Sequence, residues 1–327
     1  MNYLVLTIAL KYLSRRENMN PYPLVSIVTP SFNSGRFIAE TIESVRNQDY
    51  PSIEHIVIDG GSNDGTVEIL KRFPQLHWVS EPDSGQSEAL NKGFRFAKGE
   101  IIGWLNADDT YQPSTVSTAI HFLQENPSID CVYSDVQVID DTGQLIGVSR
   151  SQPFDLWTLV QTNFMKQPTV FMRRRIIEKL KGVDESLHYV MDQELWLRVG
   201  LAGFKMHYLR GQALANFRIC LGTKSYEQTP RFQSEWLQVL ERAFNDQYFD
   251  NIDGPAKLKV LKKYKGRYYF SESIHAIRKK NRREMLFYFA KAINEDIKLI
   301  FNRGCWLIIG MGLMGRSVDW RRKFKRD

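Results

Sequence analysis

The sequence predicts an α/β domain with a mostly parallel central sheet and flanking helices, followed by a basic helical extension. Three observations predict it. First, short apolar runs rich in Val and Ile alternate with amphipathic stretches of helical length through the amino-terminal half, which is the pattern of βαβ units. Second, each run stops at a Pro or at a cluster of acidic and amide residues. Third, residues 255–327 carry 20 Lys and Arg against 6 Asp and Glu, so the chain before them is formally −7 although the whole carries +7.

The elements follow in order. "LVSIVTP" (24–30) is a buried strand that Pro30 ends. "SGRFIAETIESVRNQ" repeats Phe37, Ile38, Thr41, Ile42 and Val45 at helical spacing. "IEHIVID" (53–59) is a second strand ending in Asp59, and "GGSNDGT" is a turn in which Asp64 caps the short helix "TVEILKRF". "LHWVSE" gives a third strand, and "SGQSEALNKGFRFAKG" a helix with Leu90, Phe94 and Ala97 on one face. "EIIGWLN" is the fourth strand. "CVYSDVQVID" and "QLIGVSR" flank "DTG", so residues 131–150 read as a hairpin. "MDQELWLRVGLAG" is a helix that buries Leu195, Trp196 and Val199, and "FKMHYL" is another strand. The expected division is an extension at 1–22, the α/β domain at 23–228 and a helical, basic region at 229–327.

Several classes are disfavoured. Cys131, Cys220 and Cys305 are far apart, with neither a disulfide framework nor metal-ligand spacing, as suits a reducing compartment. No GxGxxG follows the first strand and no GxxxxGK[ST] occurs, against a Rossmann dinucleotide site or a P-loop. The apolar part of "MNYLVLTIALKYLSRR" and the run "CWLIIGMGLMG" are both shorter than the roughly twenty residues a membrane span needs. In the first of these the charges follow the apolar run, the reverse of a signal peptide.

In open α/β sheets, ligands bind beyond the carboxyl ends of the strands. That rule gathers Pro30, Ser31, Phe32 and Asn33 with Asp59, Gly60, Gly61, Glu81 and Asp83, and with Asn106, Asp108 and Asp109. Taken singly, Asp59 could be a turn residue and the Asp108-Asp109 pair a strand end. Together they suit a phosphate-bearing substrate and a hard cation, since Mg²⁺ or Mn²⁺ takes one or two carboxylates plus phosphate oxygens and water. Two adjacent carboxylates after the apolar run Ile101–Leu105 raise each other's pKa unless a positive charge stands beside them.

"VSIVTPSFNSGRFIAETIESVRNQDYPSIEHIVIDGGSNDGT", "DSGQSEALNKGF" and "GEIIGWLNADDTY" resemble the inverting family 2 glycosyltransferases, from about Val25 to Leu209. The resemblance implies a GT-A (nucleotide-diphospho-sugar transferase) fold. It implies nucleotide-sugar binding by Pro30, Ser31, Asn33, Asp59, Asp83, Asn91, Asn106 and Asp108, with Asp59 against a uracil-type base. "NADD" matches the family's DxD region with Asn106 in the place of the first Asp, and leaves Asp108 and Asp109 to hold Mn²⁺ or Mg²⁺. "MDQELWLR" matches the acidic motif of the catalytic base, which makes Asp192 the base and Glu194 the alternative. In "FRICLGTKS", Cys220 stands where a His is frequent, and Lys224 could approach phosphate. The implied partners are a nucleotide-diphosphate sugar, UDP-linked, and a saccharide or lipid-linked acceptor, as in polysaccharide or lipid-linked glycan synthesis. The competing readings are a nucleotidyltransferase making nucleotide sugars and a non-catalytic nucleotide-sugar binder at the membrane.

In the tail, "RKKNRR" and "RRKFKR" flank "MLFYFAKAI" and "CWLIIGMGL", with Phe287, Tyr288, Trp306 and Trp320 interspersed. Basic segments with aromatic and aliphatic faces suit an anionic membrane surface, here the inner face of the cell membrane for a cytoplasmic protein. No nucleic-acid recognition motif accompanies them.

Overall fold

The computed structural model describes residues 22–220, 229–245, 249–250, 252–301 and 303–313. Its centre is a nine-stranded sheet built from β1 (Val25–Ser31), β2 (Ile53–Asp59), β3 (His77–Ser80), β4 (Ile101–Trp104), β5 (Thr110–Tyr111), β6 (Cys131–Ile139), β7 (Leu145–Ser149), β8 (Phe171–Arg173) and β9 (Met206–Arg218). The order is β3-β2-β1-β4-β8-β6-β9-β5, with β7 paired to β6 as the antiparallel hairpin read from the sequence. β1 runs parallel to β2 and to β4, and β2 parallel to β3. β8 enters antiparallel to β4 and β6.

The continuous apolar run of β1 follows from burial on both faces. Successive side chains point to opposite sides, so Val25 and Ile27 join one core cluster and Val28 the other. In β4, Ile101 and Ile102 divide in the same way. Helices α1 (Ile38–Arg46), α2 (Thr66–Leu70), α3 (Gln86–Phe96) and α4 (Thr115–Glu125) are the sheet's first connections. α3 lies so close to the sheet that a Cβ on Gly93 would come within 2.3 Å of the Val28 side chain. Asp64 closes the turn before α2, where its carboxylate accepts from the N–H and hydroxyl of Thr66 and from the N–H of Gly35.

The strand read from "FKMHYL" extends to Arg218, past two register shifts against β6. Helices α5 (Leu156–Gln161), α6 (Arg174–Leu180) and α7 (Met191–Leu201) cover this half. Beyond it lie α8 (Thr229–Ala243), α9 (Gly254–Arg278), α10 (Arg282–Glu295) and α11 (Arg303–Leu313). The larger core cluster runs across residue 228: Trp236, Val239 and Leu240 of α8 join Leu195, Trp196 and Val199 of α7. A separate small cluster of Ala276, Met285, Phe289, Cys305 and Ile309 holds the last helices together. All three cysteines are buried thiols outside any disulfide. Among the described residues no helix is long and apolar enough to cross a membrane.

Candidate active site

The carboxyl ends of β1, β2 and β4 open into a cleft of about 1240 Å³, whose walls include Pro30, Ser31, Asn33, Asp83, Asn106, Asp108 and Asp192. β1 and β2 finish in register, Ser31 beside Asp59. Asp59 is fully buried and is surrounded by donors. Its Oδ1 accepts from the hydroxyls of Ser31 at 3.2 Å and Ser62 at 2.5 Å. Its Oδ2 accepts from Ser80 Oγ at 2.6 Å and from the N–H groups of Gly61 at 3.2 Å and Ser62 at 2.9 Å. Asp59 therefore moulds the loop after β2 from behind, and Gly60, not Asp59, lines the cleft. A Cβ on Gly60 would sit 2.8 Å from the Asp83 carboxylate, so this glycine allows the two loops to meet. Burial pushes the Asp83 carboxyl up, helped by the charges of Glu88 and Asp59 and opposed by the N–H of Gly85. Asn33 adopts φ 48°; its N–H donates to Ser62 Oγ at 2.7 Å and its Oδ1 accepts from Asn63 N at 3.2 Å.

At the end of β4, Asn106 sits in an amide network. Its Oδ1 accepts from Trp104 Nε1 and Gln86 Nε2, both at 2.9 Å, and its Nδ2 donates to Gln167 Oε1 at 3.0 Å. Gln167 in turn donates to the Trp104 carbonyl at 2.6 Å. This pins the turn that carries Asp108 into the cleft.

The positive charge that the paired carboxylates require is Arg218, at the end of β9. Its side chain is 1% exposed. Nε donates to the Asp108 carbonyl at 2.9 Å, an NH2 group meets Glu40 Oε2 at 2.5 Å, and the guanidinium lies 4.5 Å from the Phe37 ring centroid. The Arg218 backbone N–H donates to Asp109 Oδ1 at 3.0 Å. Burial raises the pKa of Asp108 against the pull of Arg218. Asp109 is raised further, by burial first and then by the charge of Asp108. Among the described residues its buried Oδ2 has no hydrogen-bond partner, and Asp109 lies beneath the cleft wall, outside the lining.

A divalent cation fits Asp108, whose desolvated, cleft-facing carboxylate would be stabilised by positive charge. Among the described residues no group of three His, Cys, Asp or Glu side chains could hold a metal by itself. Such a cation would rely on phosphate oxygens and water for its remaining ligands.

The second wall is the start of α7. Asp192 occupies the first turn, while Leu195, Trp196 and Val199 anchor the helix in the core. Burial raises the Asp192 carboxyl; the Gln193 N–H and the Asn163 amide, 3.5 Å away, oppose this, and the charge of Glu235 adds to it. Glu194 faces elsewhere, paired to Arg198 at 2.6 and 2.8 Å.

Three residues expected at the site thus stand outside the lining: Asp59, Asp109 and Asn91. Asn91 is engaged with the loop after α6. Its Oδ1 accepts from Val183 N, and its Nδ2 donates to the Val183 carbonyl and to Glu185, each at 2.9 Å. It ties α3 to the loop before α7. Cys220 does line the cleft, with its thiol raised by burial, whereas Lys224 lies outside the described residues. The reading from sequence missed Arg218, Gln86 and Gln167.

The family model for Glycosyl transferase family 2 matches residues 26–181. The chain is 32% identical over 191 residues to an uncharacterized glycosyltransferase of Mycobacterium tuberculosis, which covers 56% of this chain and 71% of that protein. The chain belongs to glycosyltransferase family 2. Other relatives are the chondroitin synthase of Escherichia coli, 28% identical over 185 residues and 55% of this chain, and the hyaluronan synthase of Pasteurella multocida, 26% identical over 195 residues and 58% of this chain. The chain spans only 27% of the former and 20% of the latter.

The chain also resembles solved structures. TarS residues 1–349 of S. aureus, in complex with UDP-GlcNAc, aligns with 90% of this chain and 92% of its own at TM-score 0.60 and 17% identity. Mannosyltransferase PcManGT from Pyrobaculum calidifontis, in complex with GDP-Man and Mn²⁺, aligns with 97% of this chain and 90% of its own at TM-score 0.56 and 18% identity. At such identities the likeness establishes the GT-A fold.

Proposed function

We propose that the protein is an inverting transferase that moves a sugar from a nucleoside-diphosphate donor, UDP-linked, to a hydroxyl of a saccharide or lipid-linked acceptor. The observation that carries this reading is the meeting, in one cleft, of the strand-end carboxylate Asp108 with a second carboxylate, Asp192, at a helix start. The donor lies along the loops of Ser31, Asn33, Gly60 and Asp83, with its diphosphate toward Asp108. A Mg²⁺ or Mn²⁺ held by Asp108 supplies Lewis-acid stabilisation of the leaving diphosphate. Arg218 offsets the carboxylate charge from behind, and Asn106 with Gln167 fixes the turn.

Asp192 accepts the proton of the acceptor hydroxyl as it attacks. Such a hydroxyl is hardly ionised at neutral pH, so a base within hydrogen-bond reach is needed. Burial raises the Asp192 carboxyl and so makes it a better proton acceptor while it remains ionised. One displacement inverts the anomeric centre and needs no enzyme nucleophile.

A nucleotidyltransferase would want free cations after β1, but Arg36 there is paired to Asp141 at 2.8 Å. A panel of UDP- and GDP-sugars, assayed for Mn²⁺-dependent release of nucleoside diphosphate, tests the reading. Release from none of them overturns it and leaves a binding protein.

A specific observation also favours peripheral membrane association. Leu286 and Phe287 of α10 and Trp306 and Leu307 of α11 are exposed apolar side chains, and the cations Lys279, Lys280, Arg282 and Arg283 around the start of α10 are exposed as well. Such a face would bury its aromatic and aliphatic groups at the headgroup boundary and hold anionic lipid by charge. The full chain should co-sediment with phosphatidylserine vesicles at low salt and be released at about 1 M salt, where screening is within about 3 Å. Failure to bind at low salt overturns the assignment.

A further inference from the structure

Asp192 stands on the first turn of α7, and the chain enters that turn through His188, Tyr189 and Val190. The residue preceding the helix, Val190, offers no side-chain cap, although a Ser, Thr, Asp or Asn there would ordinarily fix the helix start. The fixing comes from α8. His188 N donates to Glu235 Oε1 at 2.8 Å, Tyr189 N to Oε2 at 2.6 Å and Val190 N to Oε2 at 2.8 Å. Three successive backbone N–H groups make a concavity for an anion, and one carboxylate fills it. Two further contacts from α8 hold the same segment: Phe232 packs edge-on against Tyr189 at 5.2 Å between ring centroids, and Arg231 donates to the Tyr189 hydroxyl at 2.8 Å. His188, Tyr189, Val190 and Phe232 line the cleft beside Asp192, whereas Glu235 does not.

We infer that Glu235 is a positioning residue, which clasps the 188–190 segment and thereby sets where the Asp192 carboxylate stands in the cleft. This rests on Asp192 being the base of the transfer reaction. It makes α8, which lies beyond the segment that the family model matches, a structural part of the acceptor side of the site. The clasp requires a carboxylate: three donors converge on two acceptor oxygens, and an amide would aim its own N–H at them.

The test uses the full chain with Glu235→Ala, Glu235→Gln, Asp192→Asn and the doubles of each Glu235 variant with Asp192→Asn. Hydrogen exchange followed by mass spectrometry reads the clasp itself. Glu235→Ala should raise exchange in peptides spanning 186–194 by on the order of tenfold, with the β1, β2 and β4 peptides unchanged. Nucleoside-diphosphate release from the most active sugar nucleotide of the panel reads the consequence. Turnover should fall on the order of 10²-fold, as expected of misplacement by about 1 Å, with donor affinity within about twofold. In the Asp192→Asn background, Glu235→Ala should cost nothing further, because groups that act as one unit are not additive.

Unchanged exchange at 186–194, or an equal fold-loss in both backgrounds, overturns the inference. Should Glu235→Ala fail to fold, Glu235→Gln retains one acceptor oxygen and should show the same pattern in smaller measure. If Asp192→Asn alone transfers at the parent rate, the proposed base falls and the catalytic half of the inference with it. If Asp192→Asn is crippled and Glu235→Ala is not, the proposed function stands and the inference alone fails.

Discussion

The two walls of the cleft are held in place by different means. The wall at the ends of β1, β2 and β4 is fixed by in-register parallel pairing and by many side chains at once, some near in sequence, as Asp59 holds Gly61 and Ser62, and some distant, as Gln167 holds Asn106. The wall at the start of α7 lacks a side-chain cap, and a carboxylate 45 residues further along the chain holds the N–H of Val190. A wall built on a sheet is rigid because its neighbours are rigid. A wall built on a helix start is only as well placed as what grips its free N–H groups. Donor binding and base placement should therefore respond to different substitutions.

The largest effect expected is on the helix-start wall. Asp192→Asn keeps the shape and removes the basicity, so transfer should drop about 10²–10⁴-fold, with donor affinity nearly unchanged. Steady-state turnover beside a donor titration reads both. Because burial raises the Asp192 carboxyl and the base must be ionised, activity should fall on acidification at a pH above the ordinary carboxylate range, about 3.9 for Asp. Loss of donor affinity in Asp192→Asn would erase the distinction between the walls.

A second substitution sharpens it from the strand side. Asp108→Asn should weaken Mn²⁺-dependent donor binding by about tenfold or more, since each tenfold corresponds to only about 1.4 kcal/mol. Asp109→Asn should weaken it less, because Asp109 lies under the wall. The two titrations, with and without Mn²⁺, give the order. A larger loss in Asp109→Asn would show that the buried carboxylate, not the cleft-facing one, governs the cation.

The smallest effect concerns stability. His55 of β2 is buried against Thr29 of β1 at 2.9 Å, and burial lowers its pKa to about 3. The unfolded chain binds the proton at about 6.5. Between these values the unfolded state holds more protons, so stability is present above about pH 6.5 and is lost as pH falls toward 3. Each pH unit in that window costs at most about 1.4 kcal/mol. Urea unfolding at pH 7.5 and 5.0 should show this slope, and His55→Gln should flatten it. An equal slope in both proteins would place the acid sensitivity outside the β1–β2 ladder.

The same division governs what the sequence reveals. β1, β2 and β4 were legible because burial on both faces leaves runs such as Val25–Val28 and Ile101–Trp104 with few polar residues. Asp108 stands out because a pair of carboxylates closes the apolar run Ile101–Leu105, whereas Asp192 is read only through the resemblance of "MDQELWLR" to the family's acidic motif. Arg218 was not, since a lone Arg closing a long strand looks like an exposed strand end until the fold sets it against Asp108, Asp109 and Glu40. Gln86, Gln167 and Glu235 are polar residues in polar surroundings, and local periodicity carries no record of a distant partner. Asn91 shows the same limit, because its bonds to Val183 and Glu185 join segments some ninety residues apart and leave no mark on the local pattern. β8, three residues long, is below the length at which a pattern exists.

The topology has a consequence for biogenesis. Among the described strands β5, immediately after Asp109, pairs only with β9, and the N–H that meets the Asp109 carboxylate belongs to Arg218, 109 residues later. While the chain is being synthesised, β1 to β4 can assemble from successive βα units, but the turn bearing the two carboxylates has no partner strand until β9 has emerged. Pairings so distant in sequence close late, and a nascent chain carries its unpaired edge throughout that interval. A nascent or truncated chain that stops short of Arg218 would hold β1 to β4 with the acidic turn tied through its backbone to Thr41, but without the Arg218 N–H at the Asp109 carboxylate or its guanidinium at the Asp108 carbonyl, a state suited to capture by a chaperone.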